Sequence, residues 1–166
     1  MINVDFYTNY EDEEKIKIYE NYINEYKEKI NKIIKEALLL NNIKLNNVYV
    51  GIGVVTPERI HELNKKFRNV DRPTDVLSFP MFSREEIKQD INKIVDEKGV
   101  PIGDIVLCLE IIEKQAIEYE TGFNREMLYM ITHGICHLLG YDHIEEDEKK
   151  EMREMEEKIL AQIGEV

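Results

Sequence analysis

A chain of 166 residues with 43% apolar side chains is the size of one domain and can bury its own core, so one unit spanning 1–166 is expected and any metal is free to be functional. Its 22 Lys plus Arg against 34 Asp plus Glu give −12 at pH 7, which argues against a protein that coats nucleic acid with its whole surface. Two cysteines make no disulfide framework, no apolar run approaches a membrane span, and the N-terminus lacks a signal pattern, so a soluble cytoplasmic protein with reduced thiols is expected.

Residues 2–7 alternate apolar and polar and predict a short edge strand. Tyr19, Tyr22, Ile23, Tyr26, Ile30, Ile33, Ile34, Ala37 and Leu38 then recur at helical spacing above a Lys/Glu face, with Asn41 and Asn42 as the stop. Asn47–Val55 is rich in β-branched residues and predicts a buried central strand whose two glycines mark a bulge or a close backbone approach. Thr56-Pro57 is an N-cap followed by the favoured first helical residue, opening a helix to about Arg68. Val76–Phe79 predicts a strand stopped by Pro80, and 82–100 a loop with at most one helical turn. A strand over 102–109, a helix over 110–120, an apolar helix over 125–139 ending at Gly140, and an acidic helix over 144–163 complete the pattern. The order predicts an α+β fold, a small mixed sheet of about four strands packed with about five helices.

The densest chemistry lies in His133-Gly134-Ile135-Cys136-His137-Leu138-Leu139-Gly140-Tyr141-Asp142-His143. His133 and His137 are one helical turn apart and project from one face, and Gly140 lets the chain turn so that His143 can return as a third nitrogen. Three imidazoles with one open position are the arrangement of a catalytic zinc site, although nickel and copper also accept imidazole. Cys136 lies about 100° around the helix from His137 and is better placed for the core. The spacing is that of metzincin proteases, but their general-base Glu is replaced by Gly134. Asp142, Glu145 and Glu146 are either substitute bases or dipole-complementing charge before the last helix.

Residues 57–72 carry Arg59, Lys65, Lys66, Arg68 and Arg72 against Glu58, Glu62 and Asp71, a +2 segment in a chain of −12. The segment is either an ordinary solvated helix face or a grip for an anionic polymer at one place, with Lys65, Lys66 and Arg72 as its candidate contacts. His61 reads as a surface residue and is not counted as a ligand. Thr74 and Asp75 fit a loop over a cleft or a local capping pair.

Two separate segments carry a resemblance: Asn64–Pro80, ending Arg-Pro-Thr-Asp-Val-Leu-Ser-Phe-Pro, and His133–His143 continuing Ile-Glu-Glu-Asp-Glu, with Gly103-Asp104-Ile105-Val106 between them. The sequence resembles the YbeY family of single-domain bacterial endoribonucleases over roughly 45–160. The resemblance implies a zincin-like catalytic domain with one zinc ion on His133, His137 and His143. It puts the family's important arginine at Arg68, expected to be catalytic. It further implies a single-strand-specific, metal-dependent endoribonuclease acting in 16S rRNA 3′ end processing and ribosome quality control. RNA is the expected substrate, ribosomal small-subunit proteins are further partners, and DNA is not expected. The competing readings are a zinc metallopeptidase and a ribosome-associated binding module whose metal is structural. If RNA is gripped locally, a narrow electropositive cleft on an acidic body is expected, with three of the four histidines at its floor.

Overall fold

The computed structural model describes residues 1–89 and 99–164. Strand β1 (Ile2–Thr8) leads into helix α1 (Glu13–Leu40), followed by β2 (Val48–Val54), α2 (Pro57–Arg68), β3 (Val76–Pro80) and α3 (Arg84–Lys88). Strand β4 (Val100–Leu107) and helices α4 (Leu109–Glu118), α5 (Phe123–Leu138) and α6 (Glu146–Gln162) complete the described elements. The four strands form one mixed sheet in the order β1-β2-β4-β3, in which β1, β2 and β4 are parallel and β3 runs antiparallel to β4. The expected α+β class and mixed sheet are thus observed, with β1 on one edge.

Several boundaries differ from expectation for local reasons. α1 begins at Glu13, before the Tyr19 stripe, because the Asp12 side chain accepts from the Glu14 N–H as an N-cap. β3 ends at Pro80 as expected, with Pro80 as its last residue, pairing with Gly103 on an edge strand where a missing N–H costs little. β4 begins at Val100 rather than 102 and accommodates Pro101 at a bulge opposite Tyr49 and Val50. It also ends earlier, since Cys108 takes the N-cap position and Leu109 opens α4. A sixth helix appears in 82–100: the expected single turn is α3, fixed by a capping box between Ser83 and Glu86. Asp90, Asn92, Asp96 and Lys98 of the expected loop lie outside the described residues. The glycines of β2 do mark close approaches, but of side chains: the Asp104 carboxylate lies over Gly51 and the Tyr7 ring over Gly53.

The core lies between the sheet and helices α1 and α5, where Ile30, Ile33 and Ile34 meet Val50, Ile52 and Ile105 and the buried face of Ile131 and Ile135. A smaller cluster on the other face seats α2 through Ile60 against Leu77 and Val106. Cys108 and Cys136 are free, buried thiols, Cys136 in the main core as its angular position implies. Burial pushes both thiols above their ordinary value. Among the described residues no helix is long and apolar enough to cross a membrane.

Candidate metal centre and cleft

Helix α5 is apolar over most of its circumference, with Met127, Leu128, Ile131, Ile135, Cys136 and Leu138 buried. Its polar stripe is therefore narrow: Tyr129, His133 and His137 follow one another at single-turn spacing. After Leu138 the chain reverses through Gly140 at φ 94°, a left-handed conformation in which an added Cβ would lie 2.4 Å from the Arg84 Cβ. The reversal brings His143 back beside the first two histidines. Nitrogens of His133, His137 and His143 all lie within 4.8 Å of one another, so the three residues can hold one metal ion.

The hydrogen bonds set which nitrogens are free. His137 Nδ1 lies 2.9 Å from the Tyr141 carbonyl oxygen, which can only accept, so Nδ1 carries the proton and Nε2 presents a lone pair. His133 Nδ1 lies 3.4 Å from Glu156 Oε1, and its Nε2 faces His137 Nε2 at 3.2 Å. A proton on Nδ1 of each ring would turn the two Nε2 lone pairs toward each other. Two nitrogens on a tetrahedral zinc at ~2.05 Å are separated by about 3.3 Å, so the donor set and its spacing fit zinc. Burial first, then the neighbouring His133 and His143, push His137 down to about 4, leaving a neutral ring ready to ligate at neutral pH. Tyr141 is itself fixed, its hydroxyl donating to Asn41 Oδ1 at 2.6 Å, so the C-cap of α1 helps hold the ligand turn.

The histidines open onto a cleft of about 490 Å³ whose opposite wall is the 64–84 segment. Arg68 and Arg72 line it, and Arg68 Nη2 donates to the Ser78 carbonyl at 2.7 Å, which anchors one edge of an otherwise exposed guanidinium. Asn64, buried on α2, donates to the Arg72 carbonyl at 2.9 Å and ties this loop to the helix. Lys65 and Lys66 are exposed but do not line the cleft: Lys65 Nζ lies 3.9 Å from Asp71 Oδ2, and Lys66 Nζ sits 5.2 Å above the Phe67 ring. His61 is on the surface, as expected, with Nε2 2.7 Å from Asp71 Oδ1. Asp75 accepts from the Val76 N–H and from Thr74 Oγ1, the local turn pair.

Two features of the site go beyond the sequence motifs. Arg84 lines the cleft, with its guanidinium 2.6 Å from Glu151 Oε1 and 4.6 Å above the Tyr141 ring, so its charge is largely committed. Glu156 does carry a signal in the sequence, since it occupies the buried stripe of α6 between Met152 and Ile159. The metzincin base position is closed by packing: a Cβ on Gly134 would lie 2.9 to 3.1 Å from three side-chain atoms of Ile105. Glu145 and Glu146 belong to the start of α6, Glu145 in a capping box with Glu148, while Asp142 lines the cleft and accepts from its neighbour's N–H at 2.8 Å.

Residues 8–164 match the family model described as Endoribonuclease YbeY. Curated relatives named "Endoribonuclease YbeY" include one from Thermoanaerobacter pseudethanolicus, 42% identical over 139 residues covering 82% of this chain and 87% of that protein. Another, from Clostridium botulinum, is 41% identical over 160 residues covering 90% and 93% of the two chains. A third, from Desulfitobacterium hafniense, is 47% identical over 115 residues covering 69% and 71%. Among solved structures, the solution structure of a Thermotoga maritima protein superposes with a TM-score of 0.58 at 30% identity, covering 98% of this chain and 89% of that one. The match over nearly the full length shows that this chain belongs to the YbeY endoribonuclease family.

Proposed function

We propose that this chain is a zinc-dependent endoribonuclease that cuts single-stranded RNA in ribosomal RNA maturation, with the 3′ end of 16S rRNA as its target and ribosome quality control as its context. The observation that carries the reading is the meeting of three imidazoles, two with Nε2 atoms 3.2 Å apart, in one cleft with Arg68. The family membership supplies the substrate class.

In this reading His133, His137 and His143 hold one zinc ion, which when bound supplies Lewis-acid activation of water or of a phosphoryl oxygen. Two of the rings are oriented, His137 by the Tyr141 carbonyl and His133 by Glu156, so no reorganisation of the donor set is needed when a substrate arrives. Arg68 is the catalytic cation. With one edge tied to Ser78, its remaining donors hold the scissile phosphate and offset charge that grows at phosphorus. Arg72 contacts the flanking backbone from the same wall, and Lys65 and Lys66 act from outside the cleft as longer-range attraction. The whole chain acts as one catalytic domain in the cytoplasm, with RNA as substrate and ribosomal small-subunit proteins as partners.

The test pairs zinc-loaded protein with a single-stranded RNA, the DNA of the same sequence, and a peptide substrate. Cleavage of RNA alone, abolished by a chelator and by His137→Ala in a protein that stays folded, is the expected result. Peptide hydrolysis would restore the metallopeptidase reading, and a folded, metal-free protein that still cleaves RNA would overturn the metal's catalytic role.

A further inference from the structure

The last helix holds a carboxylate where an apolar residue would pack better. Glu156 sits between Met152 and Ile159 on the face of α6 that meets α5, only 3% exposed. Its Oε1 lies 3.4 Å from His133 Nδ1, and its Oε2 is buried with no hydrogen-bond partner among the described residues. A carboxylate removed from water without a compensating cation is costly, and a Leu or Met of similar volume would remove the cost. Its field reaches the surrounding groups: after burial itself, Glu156 is the next cause that pushes the Tyr129 hydroxyl up to about 12 and the Cys136 thiol above its ordinary value. Tyr129 in turn lies against the outer face of His133, with ring centroids 6.1 Å apart and planes at 22°.

We infer that Glu156 is a positioning residue for the metal centre: it holds His133 in the tautomer whose Nε2 is unprotonated and supplies a buried negative charge that a divalent cation compensates. The inference rests on the metal-site reading above. His137 obtains its tautomer from a backbone carbonyl, which no substitution at another position removes. His133 has no such backbone acceptor among its described hydrogen bonds, so a side chain from α6 does the same task. A carboxylate behind a ligating histidine also makes the imidazole a stronger donor, and loss of such a partner typically weakens metal binding by about 10–100-fold. At 3.4 Å the contact is a long hydrogen bond.

Two measurements, neither using RNA, test this. In metal-free wild-type protein labelled with 15N-histidine, long-range 15N–1H correlation reads the His133 tautomer, and the Nδ1–H form is expected. Zinc affinity, measured by competition with a chromophoric chelator, is expected to fall about 10–100-fold in Glu156→Gln while the thermal midpoint of the metal-free protein does not fall. A merely structural glutamate would give the opposite pair, a lowered midpoint with zinc affinity within about twofold of wild type, and that result overturns the proposal. So does an Nε2–H His133 in the wild type, which stays decisive if Glu156→Gln fails to fold. Failure of the wild type to take up zinc at all overturns the metal reading and this inference together.

Discussion

Arg68 is an exposed side chain held at one edge only, by its bond to the Ser78 carbonyl, and that geometry leaves its other donors for an anion. Replacing it with Ala removes a charge-stabilising donor set from the cleft without touching a histidine. RNA cleavage should fall by about 10²–10³-fold with zinc content unchanged, and Arg68→Lys should recover little because a point charge lacks the guanidinium fork. Parallel metal analysis and cleavage kinetics check this, and zinc lost together with activity would sink the assignment. His137 makes a second prediction. Its folded value of about 4 lies below the ordinary 6.5, so the unfolded chain takes up this proton first as the medium acidifies. The metal-free protein should hold its full contribution from this residue above pH ~6.5 and lose it progressively toward pH ~4. Urea unfolding of chelator-treated wild type and His137→Phe between those limits reads it as a difference; the same pH dependence in both proteins would contradict the burial of the ring. The residue scale was partly legible in the sequence: one-turn spacing and a following glycine single out the three histidines that can hold one metal ion, because helix geometry alone puts His133 and His137 on one face. Arg84 was not, since it reaches the cleft from a five-residue helix whose placement depends on long-range packing.

At the scale of elements, the site depends on how α5 ends. Gly140 carries the left-handed turn and also lets α3 approach, its missing Cβ facing the Cβ and Cα of Arg84 at 2.4 and 2.7 Å. Gly140→Ala therefore strains the backbone and drives α3 away from the turn that carries Tyr141 and His143. The variant should lose about 2 kcal/mol of stability or more and bind zinc more weakly. Gly122 is the control: it has φ 82° at the start of the same helix but nothing within 4 Å of an added Cβ. Gly122→Ala should show the strain alone, with zinc affinity unchanged. Denaturant unfolding and chelator competition on both variants separate the two effects, and equal zinc affinity in both would refute the role of α3 packing. The helices were legible because their apolar stripes and caps are local. Strand limits were less so, since Pro80 and Pro101 are tolerated only because of the edge position of the one and the bulge beside the other.

Over the whole molecule, a chain of net −12 places Arg68 and Arg72 together on one wall of the cleft. An RNA gripped by Arg68 and Arg72, with weaker help from Lys65 and Lys66, contacts few phosphates. The logarithm of affinity should fall with the logarithm of salt at a slope of about −2 to −3, and Arg72→Ala should reduce its magnitude by about 0.7. Lys65→Ala and Lys66→Ala should each change it less, since both lie outside the cleft. Binding of a noncleavable single-stranded RNA over a salt series measures this, and a slope steeper than about −5 would mean that a much broader surface is engaged. Local spacing and residue type are enough to encode the secondary structure classes, the histidine triplet, the segregated positive segment and the family. Long-range packing alone selects which basic residues line the cleft, seals Gly134 with Ile105, and stands Glu156 behind His133. Those three facts depend on the docking of α2 against β3 and of β4 and α6 against α5, contacts between residues far apart in the chain whose direction no local pattern encodes.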